Sequence, residues 1–383
     1  MIVNDLQPFS IVEDRGFRKL LNELEPSYVV PHRSTFSKLL MPAKYERKFL
    51  EVKALLKTAE YITLSTDSWT SINTEGYVAV TAHFIATDWQ YYGCLLSCFK
   101  YDGRHTVENI ARELRRVADE WSISDKVYAI TTDNAANIIA AVKITGWVHI
   151  PCFAHTINLI VRNGLVHIEE LQKKVKKIVE HFHRSSQATA KFFETQSQMN
   201  PNATPLKLIN DVQTRWNSTY YMLERVVKLC NPLAATVAVL HNPVSLPTEE
   251  EWLLLQEFCK ILKPFEVVTV EMSSEKQITL SKVILIIKGV ISSLERIRVQ
   301  ITSQLGRDLI HSLLASITTR FGNPENNTIM GKPSFLDPRF KSKGLNNDDC
   351  LKKVKERLQE ELVGLIKKSQ QDDTAPEPSN DIH

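Results

Sequence analysis

Two aspartates carry the plainest chemistry in this chain: Asp67 in YITLSTDSW and Asp133 in KVYAITTDN. Each closes an apolar, β-branched run with Thr-Asp before the chain breaks away. A strand that ends this way ends at a sheet edge where loops converge, and open α/β sheets place their ligands there. Neighbouring strands lie about 4.8 Å apart. Carboxylates at two adjacent ends are therefore expected roughly 4–7 Å apart, close enough to share or bracket divalent cations as two-metal phosphoryl-transfer sites do. Hard cations such as Mg²⁺ or Mn²⁺ prefer oxygen ligands of this kind. Taken alone, either Asp also reads as a turn former or a helix N-cap.

The elements that must position this pair follow from the hydrophobic periodicity. Residues 1–60 read as an N-terminal helical region. Three strand-like runs come next, at 61–67, 76–86 and 91–101, joined by links short enough for antiparallel hairpins. Thr106 opens a helix with Ile110, Leu114 and Val117 on one face, and KVYAITTD is a fourth strand. A short helix, a fifth strand in WVHIPC and a long helix through 153–199, broken near Asn163-Gly164, complete the run. Three antiparallel strands, then helix, strand, helix, strand, helix, is the order of a ribonuclease-H-like domain. In that arrangement the first and fourth strands are parallel neighbours at the sheet centre, which is the adjacency the aspartates need. The expected fold is α/β, a mixed five-stranded sheet with flanking helices, with the core spanning 61–230. An all-α helical insertion domain is expected over 231–330, an irregular segment and last helix over 331–367, and a disordered tail over 368–383.

Composition sets outer limits. The 383 residues are 43% hydrophobic and 24% charged, an ordinary globular balance, and allow two or more domains. A net charge of +3 is too small to argue for nucleic acid alone, so any basic surface must be local. No run of eighteen apolar residues occurs, and no membrane partner is expected. The start, MIVNDLQPFSIVEDRGF, lacks a basic n-region and reads as no signal peptide. Six cysteines form no dense framework, the pattern of a reducing compartment, cytosol or nucleus.

Five stretches in order resemble the hAT superfamily of cut-and-paste DNA transposases, especially host-domesticated relatives with a BED zinc finger. They are LSTDSWTS (64–71), TTDNAANI (131–138), PCFAHTINLIV (151–161), TRWNSTYYMLER (214–225) and FLDPRFK (335–341). The resemblance implies that Asp67 and Asp133 match the first two acids of a DDE triad holding Mg²⁺ or Mn²⁺. It implies that Arg215 and Trp216 match a pair contacting DNA beside the cleavage site. There Trp stacks on a base, worth about 1–3 kcal/mol, and Arg meets phosphate; a core aromatic at a helix start is the other reading of Trp216. Cys152 and His155 match the family's Cys-x-x-His. They would make half a zinc site, but no second pair stands at finger spacing, so no zinc site is expected and a buried Cys with a bonded His is the simpler reading. The run Lys173, Lys174, Lys176 and Lys177 reads first as a solvated helix face and second as a DNA-backbone contact.

The departures from the family weigh as much as the matches. No segment of the type Ser-x-x-Glu-Arg-x-Phe-Ser, which supplies the third acid, stands in this sequence, and Glu224 does not match it. The Leu-rich C-terminal region through which family members oligomerise and the BED finger are not found either. The expectation is a domesticated nuclear protein without catalysis in this form, acting in DNA binding, transcription regulation or contacts with nuclear proteins. A DNA transposase completed in a longer form is the alternative, and a SUMO-ligase-type relative a third, for which no RING-type Cys/His array is present.

Overall fold

In the computed structural model, residues 1–372 are described apart from 102, 105, 213, 274–276 and 346, and without the side chains of 328 and 368–372. The tail expected over 368–383 therefore falls outside the described residues from 373 onward. The chain forms two compact units, Met1–Ile150 and Pro151–His383.

The first unit is built on the expected sheet. Strands β1 (Ile62–Thr70), β2 (Gly76–Ile85), β3 (Tyr91–Lys100), β4 (Val127–Thr132) and β5 (Val148–Pro151) are ordered β3-β2-β1-β4-β5. β1 pairs antiparallel with β2 and parallel with β4, so the first and fourth strands are parallel neighbours. Helices α1 (Arg15–Leu24), α2 (Arg33–Thr35) and α3 (Met41–Lys57) precede the sheet. α4 (Val107–Glu120) and α5 (Ala136–Thr145) flank β4 in sequence.

Alternation decides what the sheet buries. Ile62 and Leu64 of β1, Val80 and Ala82 of β2 and Ile130 of β4 point to one face and meet Leu114, Val117 and Ala118 of α4. Trp121 closes this core; its indole N–H donates to the Leu96 carbonyl at 3.1 Å and its ring lies 4.4 Å from Phe49. Thr106, expected to open this helix, caps α4, its hydroxyl accepting the Asn109 N–H.

The second unit is helical. It comprises α6 (Phe153–Leu165), α7 (Glu169–Arg184), α8 (Ser186–Met199), α9 (Trp216–Lys228), α10 (Cys230–Val237), α11 (Glu249–Met272), α12 (Val283–Arg298), α13 (Gln304–Phe321), α14 (Thr328–Leu336) and α15 (Asp348–Asp372). One hydrophobic cluster runs through it, from Ile160 and Leu223 to Phe258, Phe265, Leu309 and Leu313. Sharing that cluster ties residues 151–230 to the later helices, so the compact boundary falls at Ile150/Pro151 rather than near 230.

Two local details refine the expectation. The long helix breaks after Leu165, one residue beyond the Asn163-Gly164 pair near which the break was expected, and at Gly164, still within the helix, a Cβ would stand 2.9 Å from side-chain atoms of Leu309 and Leu313 on α13. The Pro- and Gly-rich stretch near 330 holds a short helix, α14, started by Asn327, whose side chain accepts the Ile329 N–H. Within FLDPRFK, Asp337 accepts from Ser281 Oγ at 2.7 Å and from the Arg339 guanidinium at 2.9 and 2.6 Å. The Arg339 guanidinium holds this carboxyl well below the usual carboxylate range. The motif is a clip between an α14-end turn and the start of α12.

Candidate functional site

The register between β1 and β4 aligns Leu64 with Ile130 and Ser65 with Thr131. Two residues further along each strand, the same register brings Asp67 level with Asp133, at the C-terminal ends of parallel neighbours. β4 ends at Thr132, so Asp133 is the first residue off the sheet, while β1 continues to Thr70. One carboxylate oxygen of each aspartate is engaged by its own backbone. Asp67 Oδ1 accepts the Ser68 N–H at 2.9 Å, and Asp133 Oδ1 accepts the Ala135 N–H at 3.1 Å. Thr132 Oγ1 donates to the Asp133 carbonyl at 2.7 Å and lies 2.9 Å from His149 Nε2 on β5. Burial holds the His149 imidazole below its ordinary pKa, against the pull of Asp133.

The two faces of the edge differ. On the helical side a cavity of about 110 Å³ is lined by Thr66, Ser68, Tyr101, Glu113, Asp133 and Asn137, with Val78, Val80, Phe99 and Leu114 among its apolar walls. Glu113 is bound there by Arg116 at 2.8 Å. Asp67 alternates to the opposite face with Ser65 and Trp69. Next to it on that face, His83 bridges Ser65 Oγ at 2.9 Å and Tyr91 OH at 2.8 Å, and burial lowers its pKa. Among the described residues no group of three or more His, Cys, Asp or Glu side chains converges to hold a metal ion.

The remaining residues singled out in the sequence lie in the second unit. Trp216 is only 3% exposed and packs edge-on against Phe265 at 6.4 Å between centroids. The stacking face expected for DNA is therefore turned into the core, and the packing role is the one this conformation gives it. Its backbone N–H donates to Asn158 Oδ1, and Asn158 Nδ2 donates to the Thr214 carbonyl, which fixes the start of α9. Arg215, one residue earlier, is exposed.

The expected basic face of α7 is largely neutralised. Lys173 pairs with Glu169 and Glu170, Lys174 with Glu251 at 2.6 Å, and Lys176 with Asp211 at 2.8 Å. A lysine held by a neighbouring carboxylate has little charge left for phosphate, so the solvated-face reading fits these three better than DNA contact. Lys177 is exposed and makes no ion pair among the described residues. Asp211, whose side chain is 3% exposed, was not singled out in the sequence; it stands five residues before Trp216 and anchors Lys176 beside the start of α9. Cys152 precedes α6 as its cap residue, and its carbonyl accepts both the N–H and the hydroxyl of Thr156 at 2.9 Å. Cys152 and His155 are both half-buried, and the thiol is free.

Comparison with known proteins agrees with this architecture. Residues 65–145 match the ZBED1 RNase-like domain, and residues 150–261 match the ZBED1 RNase-like helical domain, a division that falls where the compact units divide. Human zinc finger BED domain-containing protein 4 is 29% identical over 94% of this chain and 32% of its own length. The chain is a BED-type hAT transposase-like protein. Among other relatives of this hAT-like chain, the putative AC transposase of Zea mays is 26% identical over 87% of the chain and 43% of its own length. The putative transcriptional regulator tpeD of Talaromyces stipitatus is 28% identical over 79% of the chain and 41% of its own length. The hAT-like chain thus spans about a third to two-fifths of the relatives it matches.

Proposed function

We propose that this chain is a transposase-derived nuclear protein that handles DNA without cutting it, in the service of transcription-related contacts with other nuclear proteins. The observation that carries this reading is the acidic edge itself. Asp67 and Asp133 stand level on parallel neighbours, each with one oxygen engaged by its own turn. Asp133 lines the cavity on the helical side while Asp67 leaves the strand on the opposite face, so each offers one unengaged oxygen on its own side to Mg²⁺ or Mn²⁺, a cation that takes about six. Such a pair holds a metal weakly and orients it poorly, and phosphoryl transfer by this fold depends on metals fixed against both the attacking and the leaving oxygen. The printed description of the fungal relative as a transcriptional regulator supports the transcription side of the reading.

DNA attraction falls to Arg215 and Lys177, the two cations of those singled out that no carboxylate matches among the described residues. Two charges give weak, non-specific binding that falls with salt. The maize relative described as a transposase favours a second reading, in which a longer form supplies the third acid. One assay separates them. Purified as it stands and given Mn²⁺, the chain is expected to bind transposon-end DNA weakly and leave it intact; cleavage that disappears in Asp67→Ala would overturn the proposal in favour of the enzyme.

A further inference from the structure

One row of the sheet is used by nothing described so far. Across three strands, Trp69 of β1 pairs with Tyr77 of β2, and Tyr77 pairs with Lys100 of β3. Trp69 lies two residues beyond Asp67, so both leave the strand on the same face, about 7 Å apart along β1. The Trp69 and Tyr77 rings are stacked, 5.7 Å between centroids and 15° from parallel. One side of the indole is thus covered by Tyr77, yet the residue remains 44% exposed. The row next to it is Asp67, Ala79 and Cys98, and the small Ala79 leaves the platform open toward the carboxylate. Besides Asp67, Glu75 stands beside the platform; its carboxylate takes Lys100 at 3.0 Å and accepts from the Tyr77 hydroxyl at 3.0 Å.

We infer that the Trp69–Tyr77 stack is a base-stacking platform for an unpaired nucleotide of single-stranded DNA, seated beside the acidic edge. This rests on the DNA-handling reading and names the form of DNA that its edge receives. Three observations favour an unpaired base as the occupant. A sheet-borne indole already stiffened by a parallel ring offers a preformed π-face, and every base has one to match. The 7 Å between Trp69 and Asp67 is about two base steps along a stacked strand, at 3.4 Å each, so a base on the indole leaves a phosphate within the aspartate's neighbourhood. Lys100, at the end of the row, is held by Glu75, so the exposed indole rather than a charge is what this row offers a ligand, and a base is recognised by its π-face. Trp216, the aromatic expected in this role, is buried in the second unit.

The test is fluorescence anisotropy on the full chain at low salt, with a labelled oligothymidylate and with a strand of the same length made of abasic residues. Trp69→Ala is expected to weaken oligothymidylate binding about 5- to 150-fold, the range of one lost stack. Trp69→Leu should lose as much, because it keeps apolar bulk without a π-face, whereas Trp69→Phe keeps most of the affinity. Binding of the abasic strand is expected to be the same in all four proteins. Wild-type affinity for oligothymidylate in folded Trp69→Ala and Trp69→Leu would overturn the platform and leave the DNA-handling reading standing. Wild-type chain that binds neither strand would overturn both.

Discussion

Asp67 and Trp216 each sit in a family motif, the first expected to hold a metal and the second to stack on DNA, but the molecule treats them in opposite ways. Asp67 lies where β1 outruns β4: the strand is alternately buried through Thr66 and exposed from Asp67 to Thr70. Its side chain has no neighbour to bury it. Trp216 opens α9 within a bundle whose helices share one continuous cluster, and it is drawn into that cluster. Three of the four lysines of α7 tell the same story, Lys173, Lys174 and Lys176 each being matched by a carboxylate of its own or another element. A motif at a strand end is displayed by topology, whereas a motif on a helix is displayed only if its face points away from the core. The chemistry of the first unit is therefore open to ligand, and much of the motif content of the second holds the bundle together.

The sharpest way to break this contrast is Trp216→Ala. If the indole is core, its loss should cost about 3–5 kcal/mol, in line with large aromatic truncations, read by urea unfolding; a near-neutral variant with impaired DNA binding would restore the stacking role. Asp211→Ala removes the acid that holds Lys176 and should cost about 1–3 kcal/mol, because it leaves polar partners at a buried position. By contrast, Asp67→Ala is expected to change stability by less than about 0.5 kcal/mol. Its effect should appear instead in the small stabilisation that millimolar Mg²⁺ or Mn²⁺ gives the wild type. Melts that shift equally with metal in wild type, Asp67→Ala and Asp133→Ala would reduce the pair to turn formers.

Two weaker effects sharpen the comparison. Burial lowers the pKa of His83, so the unfolded chain takes up a proton near pH 6.5 that the folded chain resists. The stability tied to neutral His83 is present above that pH and is lost as pH falls below it. His83→Gln should make the melting temperature less sensitive to acid over that range, and an unchanged pH profile would mean that the Ser65–His83–Tyr91 bridge is not strained by protonation. The smallest effect concerns thiols. Cys98, exposed on β3, should react with an aromatic disulfide at pH 8 well before Cys259 on α11, whose thiol burial pushes up to about 12. Equal rates would show that the bundle opens as readily as the sheet face.

Much of the first unit was legible because strands announce themselves by local rules. Alternation, short hairpin links and the Thr-Asp endings are all properties of a few adjacent residues, and they led to five strands and to the first and fourth as neighbours. The same alternation puts Trp69 and Asp67 on one face, a signal present in LSTDSWTS itself. What alternation alone does not give is which residue of β2 lies across from Trp69. That register, and with it the stacked Tyr77 and the Lys100 beyond, depends on how the hairpins close.

In the second unit the sequence determined less. Helical period and caps such as Thr248 with Glu251 set where helices begin. They do not say which of several apolar or basic faces turns inward, because that is fixed by partners far away in sequence. Gly164 lies so close to Leu309 and Leu313 that a Cβ would not fit; Lys174 is neutralised by Glu251, and Trp216 is covered by Phe265. Burial is a sum over such distant contacts, so tertiary structure alone decided that the Arg-Trp motif holds a core while the acidic ends of β1 and β4 stand open.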